Sequence, residues 1–444
     1  MKTGIAACSA DLVAALRARG HLVDTYPESA AHDFPWVHRQ RPYDLIVYQF
    51  GNSSHHDYEW PYAFRYPGLV VLHDTHLHHA RAALLLRERR RDEYRHELAW
   101  NEPQINPDVA ELAVAGFDSG LYYDWPFVRG LVTASRLVAV HGEATRRALI
   151  EALSDSRWPM ADERPPISKK LVAIRLGHGE LVTPEREAEA RARIRARYGI
   201  EPDAVLFGVF GGLAPEKRVP QVLAAFRAVL PYAPGARLLL AGAPAAHFDL
   251  PAAIATLDAA AASRVTVTGY VDDAELTDHI AAVDVSLNLR WPTAGETSGP
   301  WLRALAAGKP TVITDLVHLA DRPSLDPRTW AVRRSEAGGG KSGDGKDEDA
   351  VCIAVDILDE DHSLRLAMRR LATDAALRAS LGRAARDTWQ REHSVEAMTD
   401  DYEGVMREAR ASAEADESLS QDLRPDGGAT LRSLLAPFGL DSPL

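Results

Sequence analysis

Short apolar runs alternate with longer amphipathic stretches along this chain, and the alternation happens twice. In the first half the runs are Asp44–Gln49, Gly68–His73, Leu137–His141 and Leu171–Leu176, with a further candidate strand at His21–Tyr26. In the second half they are Val205–Phe210, Arg237–Ala241, Arg264–Thr268, Val283–Asn288 and Pro310–Thr314. Short runs with little polar alternation predict parallel strands buried on both faces. Helical patterns separate them: in Val219–Leu230, for instance, Val219, Val222, Phe226 and Val229 fall at helical spacing. Strands and helices alternating on this scale predict right-handed βαβ units and an open, doubly wound sheet. Two such series predict an α/β chain of two Rossmann-like domains facing a cleft.

Domain bounds follow from the same pattern. Residues 1–177 form the N-terminal domain, 178–200 a linker with an Arg- and Glu-rich helix, and 201–392 the C-terminal domain. Residues 333–349, RRSEAGGGKSGDGKDED, are too polar to pack and read as a flexible insertion. Two helices are expected afterwards, from Ser363–Leu371 through Arg391 and over His393–Arg410. The second, in 393–411, would pack back toward the N-terminal domain, and 412–444 is a tail of poor order. The start is unusual. A domain of this class generally opens on a strand, whereas Met1–Ala6 leads almost directly into a predicted helix, Ser9–Gly20. Either the domain begins on a helix or its first strand is missing from the sequence.

Composition narrows the function. The chain has 444 residues, 46% hydrophobic and 26% charged, as a globular protein of two or three domains would. Its formal net charge of −12 argues against a general nucleic-acid partner. Cys8 and Cys352 are too few for a disulfide framework or a zinc site. No apolar run approaches the ~20 residues that span a bilayer, and no signal-peptide core is present at the start. The expected location is cytoplasmic, with peripheral contact at the inner membrane surface left open. For that contact the candidate is Leu84–Tyr94, LLLRERRRDEY, either a basic face on anionic lipid or a solvated helix with internal Glu–Arg pairs.

Ligands of open α/β sheets bind beyond the carboxyl ends of the strands, which singles out four places. His73 and Asp74 end the run GLVVLHD, facing a cleft or capping the next helix. His76, His78 and His79 lie close by, but their spacing fits no zinc pattern, so no metal is expected. Gly211-Gly212-Leu213-Ala214-Pro215-Glu216-Lys217-Arg218 follows VLFGVF. Its paired glycines admit a ligand close to the backbone, and its two cations suit an anion. No Gly-Lys-Ser/Thr follows, so it is not a P-loop. Gly269-Tyr270-Val271 offers a backbone edge after VTVT. The fourth place is 292–315, PTAGETSGPWLRALAAGKPTVITD. There Ser298, Gly299 and Pro300 mark a helix start whose free N–H groups attract an anion, and Glu296 stands ready for sugar hydroxyls. One acid beside a bare helix N-terminus suits a sugar joined to a diphosphate.

With the motifs FGGLAPEKRVPQVLAAF, RLLLAG, VTVTGYVDDAEL, VSLNLR and GETSGPWLRALAAGKPTVITD, the chain resembles the bacterial members of glycosyltransferase family 4. LATDAALRASLGRAAR and HSVEAMTDDYEGVM match that family's closing helices. GIAACSADLVAAL, YDLIVYQFGNSSHHDY, PGLVVLHD and LVAVHGEATRRAL extend the likeness to about 1–410. The resemblance implies a GT-B fold and retaining, metal-independent transfer from a nucleoside-diphosphate sugar to a glycan or glycolipid hydroxyl. It assigns the donor diphosphate to Lys217 and Arg218, lined by Gly211 and Gly212, and the nucleobase to the backbone at Val271. Glu296, Thr297, Ser298 and Gly299 would meet the donor sugar and distal phosphate. His73, with Asp74, would lie near the transferred sugar, and Gly4 near the donor phosphate or acceptor. Many relatives carry Arg where this chain has Gly212, and a second Glu, on the ribose hydroxyls, where it has Arg303. Arg303 either reaches a phosphate or merely sits in a surface salt bridge. Two other classes compete. A non-catalytic sugar-nucleotide binder or assembly protein is one, and a GT-B sugar-nucleotide epimerase is the other.

Overall fold

The computed structural model describes residues 4–117, 120–154, 167–333 and 349–412. The expected insertion at 333–349 and the tail at 412–444 fall almost wholly outside them. The chain divides into two compact units. One comprises Gly20–His141, Arg146–Ile174 and Tyr402–Leu444; the other comprises Met1–Arg19, Gly142–Thr145 and Arg175–Asp401.

The first of these holds a four-stranded parallel sheet: β1 (Val47–Phe50), β2 (Leu69–Leu72), β3 (Leu137–His141) and β4 (Leu171–Ile174), ordered as numbered. Every residue of β2 and β3 is buried, as continuous apolar runs require. Phe50, Trp60, Phe64, Leu72, Leu131 and Val132 belong to one core cluster. The expected strand at His21–Tyr26 does not form. Its apolar residues are used differently: Leu22 is 94% exposed, while Tyr26 packs edge-on against Phe34 at 5.5 Å.

The other unit is built on eight strands: β5 (Leu206–Phe210), β6 (Arg237–Ala241), β7 (Val265–Gly269), β8 (Val285–Asn288), β9 (Thr311–Thr314), β10 (Ser324–Leu325), β11 (Val332–Arg333) and β12 (Cys352–Val355). Their order is β11-β10-β12-β9-β8-β5-β6-β7, parallel except for β10–β11. Going out from β5, the chain builds β6 and β7 on one side and β8, β9 and β12 on the other. That reversal makes the carboxyl ends of β5 and β8 the topological switch point, where such sheets take their ligands. Strands β10 to β12 are additional to the runs named above. Two are only two residues long, and Cys352–Val355 follows directly on the polar 333–349 stretch.

Helix Val219–Val229 buries Val219, Val222, Leu223, Phe226 and Val229 on the face its spacing predicts. Phe226→Ala would cost about 3–5 kcal/mol there. Asp284 sets the start of β8: its carboxylate accepts from the Leu206 N–H at 2.7 Å and from Arg195 at 2.7 Å. Arg195 lies on helix Pro184–Arg197, so one acid ties that helix to two strands. The first helix, Gly4–Ala18, starts earlier than its apolar pattern indicated, and it belongs to this unit rather than with β1–β4. Cys8, Leu12 and Leu16 are its buried stripe, and the Cys8 thiol donates to the Gly177 carbonyl at 3.4 Å. Three closing helices are present where two were expected: Glu360–Thr373, Ala375–Glu392 and Val395–Ala411. The extra break falls at Asp374, whose side chain accepts from the Leu377 N–H at 2.9 Å and so starts the next helix. Among the described residues no helix is long and apolar enough to cross a membrane.

Candidate functional site

At the end of β5 the backbone turns through Gly211, with φ +86°. A side chain there would be strained, and its Cβ would sit 2.8 Å from the Lys217 Nζ. The glycine therefore leaves room for the lysine, which curls back and donates to the carbonyl of Phe210, the last residue of β5. Burial pushes the Lys217 ammonium down to about 7; the Arg290 cation adds to this, and the Glu296 carboxylate opposes it. A lysine held so close to neutrality takes up its proton fully once an anion arrives beside it.

Two residues beyond β8, Arg290 pairs with Glu296. The other carboxylate oxygen of Glu296 accepts from Thr293 Oγ1 at 2.9 Å and from the Ala294 N–H at 2.8 Å. The loops after β5 and β8 are joined by the Trp291 N–H, which donates to the Glu216 carbonyl at 2.7 Å. Glu296 is thereby fixed, with one oxygen turned to a cation. Helix Gly299–Ala306 follows, capped by Ser298, whose Oγ accepts from the Trp301 N–H at 3.4 Å. Pro300 Cγ lies 3.7 Å from the place a Cβ on Gly211 would take. The helix start thus adjoins the Gly211 turn.

The structure therefore brings together Gly211, Lys217, Glu296, Ser298 and Gly299, and Thr297 lies between the last three in sequence. Gly212 is exposed, with open space at its missing Cβ. Arg218, expected on the same diphosphate, has φ +57° and directs its guanidinium at Glu360, with Nε 2.8 Å from one carboxylate oxygen. Gly4, expected near the donor phosphate or acceptor, is the first residue of a helix. Val271 sits in the connection from β7 to helix Asp273–Ala282.

Arg303 is buried. It donates to His178 Nε2 at 3.1 Å and to Asp273 Oδ1 at 2.6 Å, with Thr277 Oγ1 at 3.4 Å. It forms a salt bridge with Asp273, but with the arginine buried rather than on the surface. His178 lies against Gly299, where a Cβ would meet its Nε2 at 3.2 Å. Burial and the Arg303 charge hold the His178 pKa down to about 4, so the ring is neutral. Its Nδ1 is buried without a hydrogen-bond partner among the described residues.

In the other unit, His73 follows β2, with Nε2 2.7 Å from Gln49 Oε1 and Nδ1 3.2 Å from His141 Nε2. Asp74 Oδ2 accepts from the Asn52 N–H at 2.6 Å. These contacts gather polar groups from the carboxyl ends of three neighbouring strands. His78 points elsewhere: it is buried, stacked on Phe127 at 4.8 Å, and desolvation lowers its pKa to about 3. Arg90, in the stretch Leu84–Tyr94, and Arg95, just after it, are paired with acids. Arg90 binds Glu88 at 3.0 Å and also Glu93, and Arg95 binds Glu111 at 2.6 Å.

Sequence reasoning missed Arg290, His178, Gln49 and His141. Three of them stood at strand ends in plain view: Arg290 closes VSLNLR, Gln49 ends YDLIVYQ, and His141 ends LVAVH. His178 carried no such signal, since only the fold brings it to Arg303.

Residues 204–326 match the family model described as Glycosyl transferases group 1. The chain is similar in fold to HepE of Anabaena, solved with UDP and glucose: TM-score 0.53, 15% identity, covering 86% of this chain and 82% of that one. WaaG, a glycosyltransferase involved in lipopolysaccharide biosynthesis, gives 0.52 at 14% identity over 91% and 96%. Sucrose-phosphate synthase from Thermosynechococcus elongatus gives 0.55 at 16% identity over 86% and 77%. These likenesses show the GT-B fold, with its two Rossmann-like domains. No curated protein matches the chain.

Proposed function

We propose that this chain, whose residues 204–326 form a group 1 glycosyl transferase domain within a GT-B fold, is a glycosyltransferase acting on a nucleoside-diphosphate sugar. The observation that carries the reading is the trio Lys217, Arg290 and Glu296 at the switch between β5 and β8, beside the start of helix Gly299–Ala306. The diphosphate lies against the Gly211 turn and the helix N-terminus, where Lys217 counters the charge that grows on the departing group. Glu296, held by Arg290 and Thr293, accepts from hydroxyls of the donor sugar. That sugar becomes oxocarbenium-like as the nucleoside diphosphate leaves.

Transfer proceeds with retention and without a divalent metal, since the protein's own cations and helix start stabilise the leaving group. The acceptor is a hydroxyl of a glycan or glycolipid. His73, oriented by Gln49 and His141, offers a hydrogen-bonding ring on the acceptor side. The neighbour solved with UDP and glucose makes a UDP-sugar the first donor to try. Incubation with a panel of UDP-, GDP- and ADP-sugars should release free nucleoside diphosphate from at least one. NMR of the glycosylated product should then show the donor's own anomeric configuration. Tight nucleotide binding with no turnover of any donor would overturn the enzyme reading.

A further inference from the structure

The proposed donor crosses the carboxyl ends of the strands in one direction. Glu296, assigned to the donor sugar, lies in the loop after β8, and the Gly211 turn, assigned to the diphosphate, follows β5. The nucleoside therefore runs the other way, toward β6 and β7, the next strands in the sheet. Two strand spacings amount to about 10 Å, a span that ribose and base together cover. They come over the connection between β7 and helix Asp273–Ala282.

A carboxylate is held in place there. Asp273 is the first residue of that helix, and its side chain is 56% exposed. The helix does not need it as a cap, because Asp272 Oδ1 accepts from the Glu275 N–H at 2.9 Å. Buried Arg303 fixes Asp273 twice, donating from Nη1 to its main-chain carbonyl at 3.3 Å and from Nη2 to Oδ1 at 2.6 Å. The acceptor capacity of Oδ2 stays unused among the described residues. Arg303 also reaches His178, which lies against Gly299, so one run of contacts joins this carboxylate to the helix start proposed for the diphosphate.

The local charge decides which ligand group suits it. Asp11, on helix Gly4–Ala18, feels the same pair: burial raises its pKa most, Arg303 lowers it and Asp273 raises it. The His178 ring is neutral. Two carboxylates around one guanidinium leave this corner net negative, which disfavours a phosphate and favours a hydroxyl donor.

We infer that Asp273 accepts a hydrogen bond from a ribose hydroxyl of the donor nucleotide, and so makes the protein prefer ribonucleotide to deoxyribonucleotide donors. At 303, where many relatives carry the ribose acid, this chain has instead the arginine that holds Asp273. The inference rests on the transferase reading above.

Calorimetry on the full chain tests it, with UDP, GDP and ADP as probes, together with the 2′-deoxy and 3′-deoxy counterparts of whichever binds. At least one deoxy form should bind about tenfold more weakly than its ribonucleotide, the scale of a hydrogen bond to a charged group. Asp273→Asn keeps an oxygen for Arg303 and turns an amide outward. It should lower ribonucleotide affinity to the level of that deoxy form and leave the deoxy form unchanged. An Asp273 that served only to anchor Arg303 would leave the ratio standing in the variant, and that result overturns the inference. So do ribo and deoxy affinities within about twofold of each other in the unaltered chain, a comparison that needs no variant to fold. Nucleotide binding without this discrimination leaves the transferase reading intact, whereas no binding and no turnover of any nucleotide sugar ends both.

Discussion

Arg303 and Asp273 form an ion pair of 2.6 Å in which the arginine is buried and the carboxylate faces outward. The arginine occupies the position where the family resemblance calls for an acid, and it is fully engaged by Asp273, His178 and Thr277. Removing it leaves a lone carboxylate and an uncompensated histidine nitrogen. Because the Asp273 side chain is 56% exposed, solvent softens the loss. Arg303→Met should therefore destabilise the fold by about 1–2 kcal/mol, below the cost of breaking a wholly buried pair. Urea unfolding measures this, and UDP affinity should change little. Unchanged stability with UDP binding at least tenfold weaker would mean that Arg303 serves a phosphate after all.

Lys217→Ala removes the cation closest to the Gly211 turn. The expected loss in kcat/KM is about 2–4 kcal/mol, as for deletion of an electrostatic stabiliser of a leaving group. Arg218→Ala should cost far less activity, since its guanidinium is committed to Glu360. Equal losses in the two variants would show that the diphosphate lies elsewhere.

The depressed pKa of Lys217 gives a signature in pH. Folding lowers it from its ordinary value of 10.5 to about 7, so between those values the unfolded chain holds the extra proton. This group's contribution therefore makes stability rise with pH across that window. Nucleoside diphosphate binding works the other way, because the anion favours the ammonium. At about pH 8, UDP binding should take up a proton. Calorimetry in two buffers of different ionisation enthalpy reads that uptake, and Lys217→Met should remove it. Binding with no proton uptake in the unaltered chain would place the phosphates away from this lysine.

Much of the fold was legible because its evidence is local. The buried runs of β2, β3 and β5 are continuous, and the stripe Val219, Val222, Phe226 and Val229 is regular. The site was legible wherever chemistry sits at a strand end or helix start, as with Gly211, Lys217 and Glu296. What stayed hidden depends on tertiary partners. Nothing in the string EKRVP shows that Arg218 finds Glu360, distant in sequence, while its neighbour Lys217 turns back to the strand. His21–Tyr26 failed as a strand for the same reason, since Tyr26 found an aromatic neighbour in Phe34.

If the cations and the helix start carry the leaving-group charge, chelation should not matter. Addition of excess EDTA is expected to leave nucleotide-sugar turnover unchanged, and added magnesium should not accelerate it. Loss of activity on chelation, restored by a divalent ion, would show that a metal shares the diphosphate.

Arg290 and Glu296 make the sharpest test, because one residue holds the other. Glu296→Gln keeps the shape and the contacts to Thr293 and Ala294 within reach, but it loses the charge that pairs with Arg290 and attracts sugar hydroxyls. If Glu296 serves the donor sugar as proposed, the effect should fall on turnover of that sugar, with UDP binding nearly unchanged. Arg290→Ala frees Glu296 and also removes a cation that lowers the Lys217 pKa. Two losses are then expected together: weaker UDP binding, and a shift of the Lys217-linked proton uptake to higher pH. A merely structural Arg290 would reduce stability and turnover without moving that pH dependence. Donor kinetics and the pH profile of UDP affinity, measured on both variants, separate the two roles.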